Sequence, residues 1–369
     1  KDNTYALVSD ACKAADKDVD FSRYDADGDG MVDLVYIIYA GYPASMSGNP
    51  NDIWPKSGPG DGSFGTYDGK QVCRYGVHAE LNFGWALNKK NGFLLSGIGL
   101  FCHEFSHTLG LPDLYPTVDA SKVDNQNPEM WDLMDGGEYT FNGGYCPTPY
   151  SPWELYVMRW TSPVELGDEA KQVTLNSYYK ERTAYKINGE NDEYLLIQNI
   201  QKGGWWNGIA NGYNTGMLIW RIDYGTKDVN LFDNPNNTLG KPKVMIVPAD
   251  DYVISDYNHG DGKQWTDAEY KASLQADPFP GTKNKTELLS VKLNKSILKK
   301  PFYNIKETDG VITFDYLKDF ATGIDSPVIQ QNQEKDTRIF TLDGRYLGTD
   351  VSQLTKGVYI IGKKKVIIK

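Results

Sequence analysis

The chain has 369 residues, with 49 acidic side chains against 38 basic ones, for a formal charge of −11 and a pI near 4.9. That balance excludes binding driven by phosphate neutralisation, so nucleic acids and anionic membrane surfaces are not expected partners. The length exceeds what one core usually fills, and 40% hydrophobic and 13% aromatic residues are enough for two or three packed units. No run of 18 apolar residues occurs, so no membrane-spanning segment is expected. Residues 1–20 carry no signal-peptide pattern, and a start on Lys1 is expected of a processed or trimmed chain.

Leu7, Val8, Ala11, Cys12 and Ala15 recur at helical spacing and predict an amphipathic helix over residues 5–16. Next comes an aspartate-rich turn, Asp25-Ala-Asp27-Gly-Asp29-Gly30-Met31-Val-Asp33. It follows the first nine positions of a calcium loop: carboxylates at 1, 3, 5 and 9, a glycine at 6, and the Met31 carbonyl at 7. Position 12 is Tyr36 in place of the bidentate Glu, so the expectation is a structural Ca²⁺ site in a turn, with an unoccupied acidic loop as the alternative. Residues 34–40 read as a strand buried on both faces, 49–69 as a Pro/Gly/Ser/Asp loop, and 72–80 as a second strand. Ser96 is the predicted N-cap of a helix through Ile98, Phe101, Phe105 and Leu109 that stops at Gly110.

That helix carries the chemistry. His103-Glu104-Phe105-Ser106-His107 sets two imidazoles at i and i+4 on one face, within reach of one ion, with Glu104 beside them to hold a metal-bound water. Gly110 offers a left-handed turn back under the metal, and Asp113 stands where a third ligand is wanted. Two imidazoles and a carboxylate leave the fourth tetrahedral position of Zn²⁺ open, as a catalytic site requires. A second scheme keeps both histidines and recruits Glu129, Glu138 or Glu154. Zinc would supply an acidified water and a polarised carbonyl, and Glu104 would move the proton. Tyr115 and Tyr139 are candidates for oxyanion stabilisation or plain packing residues.

Beyond about residue 161 the pattern changes to short β-branched runs at 172–175, 193–199, 217–222 and 244–247, separated by Gly/Asn/Asp/Pro turns, which predicts a β-sandwich without a long helix. Trp205-Trp206 reads as edge or core aromatics, with a sugar-stacking platform as the alternative. His78 is expected as a core or edge histidine, and His259 as a loop histidine or part of a second ion site. A polar linker at 322–335 leads to strands at 338–342, 358–361 and 366–368 around an Asp343-Gly344 turn. The four cysteines, Cys12, Cys73, Cys102 and Cys146, form no C-x-x-C pair, which leaves buried thiols or, in an exported chain, two disulfides.

The string HEFSHTLGLPD, residues 103–113, resembles the extended zinc motif of metzincin peptidases. Together with VDFSRYDADGDGMVDLVYIIYAG before it and WDLMDGG after it, it resembles the immune inhibitor A family of secreted bacterial metallopeptidases. GMLIWRID and DPFPGT resemble that family's β-rich domain, so the likeness runs over roughly residues 15–290. The resemblance implies His103, His107 and Asp113 as zinc ligands, Glu104 as general base, and Met134 as the methionine beneath the metal. It also implies further strands ahead of residues 1–16. The last 45 or so residues, RIFTLDGRYLGTDVSQLTKGVYIIGKKKVIIK among them, resemble the sorting domain read by type IX secretion systems.

The expected protein is α+β: a metzincin-like zinc peptidase domain at 1–161, an all-β sandwich at 162–320, and a linker with a small sorting-domain-like β tail at 321–369. The expected activity is that of a zinc-dependent endopeptidase, secreted or at the cell surface, acting on proteins or peptides. The rival reading is an idle surface adhesin or glycan-binding protein that keeps a relic zinc site.

Overall fold

The structure, a computed structural model, describes residues 3–60, 63–82, 94–118, 127–224, 233–254, 265–321, 339–342, 345–361 and 364–368. It mixes helices with open sheets, an α+β organisation. Two compact units are present, residues 1–324 and 325–369.

The first unit opens with helix α1 (Thr4–Ala15), one residue off the sequence reading, with Val8 and Cys12 buried as its periodicity requires. Three strands follow: β1 (Val35–Tyr39), β2 (Lys56–Pro59) and β3 (Arg74–Ala79). β3 is central, parallel to β1 and antiparallel to β2. The sequence predicts β1 to be buried on both faces; it is an edge strand among the described residues, and Ile38 is 62% exposed, so one face at that position is left open. β2 lies inside the stretch read as loop, a strand of Lys, Ser, Gly and Pro that periodicity does not reveal.

Helix α2 (Ile98–Thr108) packs on β2 and β3. Its N-cap is Gly97, not Ser96, and no side chain caps it; the Ser96 hydroxyl faces the Gly97 carbonyl instead. The reason is proximity. A Cβ on Gly99 would fall 1.8 Å from the Glu138 carbonyl oxygen, so glycine lets the start of the helix lie directly on the backbone of residues 136–144. A short helix α3 (Pro152–Val157) is closed by a capping box between Ser151 and Glu154.

Strands β4 (Val164–Glu165), β6 (Tyr185–Asn188), β7 (Tyr194–Ile200), β8 (Gly216–Ile222) and β9 (Val244–Val247) form a five-stranded sheet in that spatial order. Strands β5 (Lys171–Leu175), β10 (Phe302–Thr308) and β11 (Val311–Tyr316) form a three-stranded one in the order β5–β11–β10. All seven residues of β7 are buried. Leu195 and Ile197 face a core shared with Val173, Ile312 and Phe314 of the smaller sheet. Tyr194, Leu196 and Ile200 face a core shared with Leu111, Trp131, Met134 and Trp153. The large sheet is therefore an apolar floor beneath the segments that follow α2, and that core runs across residue 161. Among the described residues the region also holds short helices that the alternation hid, at Tyr178–Glu181 and Asn207–Tyr213, and α4 (Asp267–Leu274), with a Thr266–Glu269 capping box.

The second unit is an antiparallel sheet of β12 (Ile339–Thr341), β13 (Tyr346–Gly348), β14 (Gly357–Ile361) and β15 (Lys364–Ile368), in the order β13–β12–β14–β15. The predicted linker and the Asp343-Gly344 turn lie outside the described residues, as does His259. The four cysteines are free thiols.

Candidate metal centre

α2 sets His103 and His107 one turn apart, both buried, with ring centroids separated by 4.9 Å. Past Leu109 the chain turns at Gly110, φ +93°, a conformation that glycine adopts at little cost, and brings Asp113 back to the helix. Asp113 Oδ1 then lies 3.2 Å from His103 Nε2 and 3.3 Å from His107 Nε2. Three potential ligand atoms, one from each residue, lie within 4.8 Å of one another.

The far side of each ring is fixed by backbone. His103 Nδ1 sits 3.0 Å from the Leu133 carbonyl oxygen and His107 Nδ1 sits 2.8 Å from that of Leu111. A carbonyl can only accept, so each Nδ1 carries the proton and each Nε2 presents a lone pair. In the neutral rings two imidazole lone pairs and a buried carboxylate oxygen thus converge on one point, a set that calls for positive charge, whether a proton on Nε2 or a bound cation. The donor set, two nitrogens and one oxygen, fits zinc.

The surrounding charges agree. Burial works against positive charge on His103, but Glu138 and Asp113 overcome it and hold the ring's proton affinity well above its ordinary value. Burial would raise Asp113, and the two histidines instead pull it below the usual carboxylate range. Glu104 is buried beside them, with Oε2 lacking a partner, and burial pushes it up to about 7. Its backbone carbonyl accepts a hydrogen bond from Ser57 of β2, which ties this turn of the helix to the sheet.

The other residues singled out in the sequence fall as follows. Of the rival third ligands, Glu138 lies 3.7 Å from His103 Nδ1, on the ring edge turned away from Asp113. Glu154 belongs to the α3 capping box, and Glu129 accepts from Asn127 and from the Tyr270 hydroxyl. Tyr115 lies nearly parallel to the His103 ring, 6.4 Å between centroids, and burial and the neighbouring Asp113 carboxylate raise its proton affinity. Burial and the neighbouring Glu138 carboxyl raise the proton affinity of Tyr139. Met134 is fully buried in the core, and its carbonyl accepts from Leu114. Trp206 is buried while Trp205 is exposed, beside an apolar cavity of about 420 Å³ on the side of α2 away from the histidines. His78 is a buried β3 residue flanked by Tyr36 and Phe101. The sequence did not disclose a role for Tyr36, a half-buried tyrosine whose buried hydroxyl lacks a partner and whose proton affinity is raised by burial and by Glu104. Nor did it disclose the Leu111 and Leu133 carbonyls, since backbone acceptors leave no mark in residue type.

In the aspartate loop, oxygens of Asp25, Asp27 and Asp29 also lie within 4.8 Å of one another. Asp25 accepts from Gly30 N–H and from Lys70 Nζ at 2.5 Å, Asp27 from Asp29 N–H, and Asp29 from Met31 N–H. Asp33 accepts from Ala26 N–H across the turn, while Met31 opens a short strand paired with residues 70–72.

Residues 6–162 match the catalytic domain of the immune inhibitor A peptidase M6 family. The chain is also 30% identical over 166 residues to immune inhibitor A of Bacillus thuringiensis subsp. alesti, across 40% of this chain and 23% of that protein. The aligned part thus spans under a quarter of the relative's length. These matches support a metallopeptidase of the immune inhibitor A type. The matched span holds His103, Glu104, His107, Asp113 and the aspartate loop, and it ends where the β-rich region begins. Among the described residues, no helix is long and apolar enough to cross a membrane.

Proposed function

We propose that the chain is a zinc-dependent endopeptidase, secreted or held at the cell surface, that hydrolyses peptide bonds of proteins. The observation that carries this reading is the convergence of the two Nε2 lone pairs and Asp113 Oδ1, with each Nδ1 fixed on a carbonyl. His103, His107 and Asp113 would hold the ion. A zinc ion there would polarise the scissile carbonyl and acidify the attacking water.

The chain's own residues do the rest. Glu104, next to His103 and with its carboxylate Oε2 lacking a partner, takes the proton of the attacking water on its carboxylate and returns it to the departing amine. Its buried setting, which raises it to about 7, suits a group that must serve first as base and then as acid near neutrality. Tyr115, stacked on the His103 ring, packs against the ligand set. The β-rich region at 162–320 is proposed as a sandwich that buries the floor of a metzincin-like domain at 1–161. The 321–369 segment is proposed as the exported chain's sorting domain, and the aspartate loop as a structural Ca²⁺ site.

The test is metal analysis together with casein cleavage, on the parent and on Glu104→Gln. The expected result is about one zinc per chain in both proteins, with cleavage lowered about 10²- to 10⁴-fold in the variant. Full proteolysis by the variant would remove Glu104 from the mechanism, and a parent without zinc would remove the site.

A further inference from the structure

The face of α2 turned away from the histidines borders open space. Ile98, Phe101, Cys102 and Phe105 recur at i, i+3, i+4 and i+7 and form one stripe, with His103 and His107 on the opposite side of the helix. That stripe is one wall of the apolar cavity of about 420 Å³. Its other walls come from the 147–150 segment and from the pairs Tyr178-Tyr179 and Trp205-Trp206. The walls are braced against one another. The Phe101 and Phe105 rings stack 5.7 Å apart, and Tyr178 meets Trp206 edge-on at 5.8 Å. The Tyr179 ring lies on Gly203 and Gly204, where a Cβ would fall 2.2 and 2.7 Å from it, so the ring occupies room that only glycine leaves. A preformed apolar cavity of this size falls among small-ligand sites, which span roughly 300–1,000 Å³.

The polar part of the lining narrows the ligand. No Asp or Glu lines the cavity, and its one charged group is Arg182. The hydroxyls of Thr148 and Tyr150 are already bonded, to the Met130 carbonyl and to Ser106. Among the described residues no carboxylate pairs with Arg182, and Glu181 beside it accepts from Asn176 at 2.8 Å. The chain as a whole carries −11 and repels anions, so a carboxylate held here owes its preference to this one guanidinium. We propose that the cavity binds a medium-chain aliphatic carboxylate, with its tail among the aromatic walls and its head group on Arg182 at the exposed rim. The rings stand at mixed angles, 17° within the α2 pair and 87° at Tyr178 and Trp206, a lining that a flexible tail follows better than a flat ring. Burial of the tail supplies affinity, and the guanidinium selects the head group. Trp205 and Tyr179, 55% and 45% exposed, mark the open side by which the ligand enters. The cavity shares α2 with the candidate metal centre but none of its ligands, so its test does not depend on that reading.

The experiment titrates decanoate, decanol and decylammonium calorimetrically into the parent, Arg182→Gln and Ile98→Trp. In the parent, decanoate is expected to bind about 3- to 10-fold more tightly than decanol, with decylammonium the weakest. Arg182→Gln should erase that preference and leave decanol binding as it was, a pattern that a merely structural role of the arginine would not produce. Ile98→Trp sets an indole into the cavity from a position 44% exposed, and decanoate and decanol should both weaken by at least about 10-fold. Cys102 locates the ligand: its thiol lines the cavity, and saturating decanoate should slow its alkylation by N-ethylmaleimide, read by peptide mass. Equal binding of decanoate and decanol in the parent, or a preference that survives Arg182→Gln, overturns the proposal. Decanoate that binds while Cys102 keeps its reactivity sits elsewhere, the metal centre included, and overturns it as well. If no ligand binds and the parent self-associates through a contact that Ile98→Trp breaks, the aromatic rim belongs to a second copy and the cavity is no ligand site.

Discussion

The two places where carboxylates gather in this chain are built in opposite ways. Around Asp25, Asp27 and Asp29, loop N–H groups bond the oxygens, and Lys70 supplies a positive charge. Around Asp113, the histidines have turned their N–H groups away to Leu111 and Leu133, so the inward atoms are all acceptors. The first cluster is largely closed by its own donors, with Asp25 Oδ1 left over, whereas the inward atoms of the second meet no N–H group of the loop. Acidic density, which made both stand out in the sequence, is therefore a poorer guide to ion affinity than the placement of the neighbouring donors.

The strongest way to break that contrast is to remove the carboxylate of the second cluster. Asp113→Ala leaves two imidazoles facing each other, and zinc affinity should fall by at least about 10²-fold, with proteolysis lost alongside. Competition against a chelator of known affinity measures it. Unchanged affinity would pass the third position to another carboxylate and remove the distinction drawn here.

Much of the centre was legible because its ligands lie within eleven residues, on one helix and one turn, so local spacing encodes their geometry. The string from His103 to Asp113 needed only the helical period and the left-handed turn at Gly110. What supports it was not legible. Leu133 contributes a carbonyl that any residue would provide. At the level of the fold, α1 and the long strands followed periodicity, whereas β2 runs through Lys, Ser, Gly and Pro and owes its strand to pairing with β3. The Gly97 cap likewise answers to a close backbone approach at Gly99, which is tertiary information. α4 did leave a sign, threonine and glutamate three apart, but the short β runs around it drew the reading toward strand.

His78 sharpens the comparison from a third direction. It is as buried as His103, yet its neighbours are aromatic, and burial lowers it from 6.5 to about 4. The folded state thus holds His78 neutral where the unfolded chain would protonate it. Its contribution to stability is complete above about pH 6.5 and is lost as the pH falls toward about 4. The expected slope from this group is at most about 1.4 kcal/mol per pH unit. Denaturant melts of parent and His78→Phe across that range should diverge, with the variant flatter; parallel curves would mean that His78 is protonated in the fold.

The smallest expected effect lies in the aspartate loop and concerns Lys70. Its ammonium rests 2.5 Å from Asp25 Oδ2, and it lowers the Asp25 carboxyl as a bound cation would. If Ca²⁺ enters this loop, it must displace that contact, so Lys70→Met should bind Ca²⁺ more tightly than the parent, by on the order of tenfold, while zinc content stays the same. Calorimetric titration of the zinc-loaded protein reads the change directly. Equal Ca²⁺ affinity would mean that the lysine and the ion do not compete, and no binding in either protein would mean that Lys70 and the loop's own N–H groups already complete it. In both outcomes the proposed zinc centre is untouched, because the two clusters share no residue and the loop's carboxylates bond only within residues 25–33 and to Lys70 among the described residues.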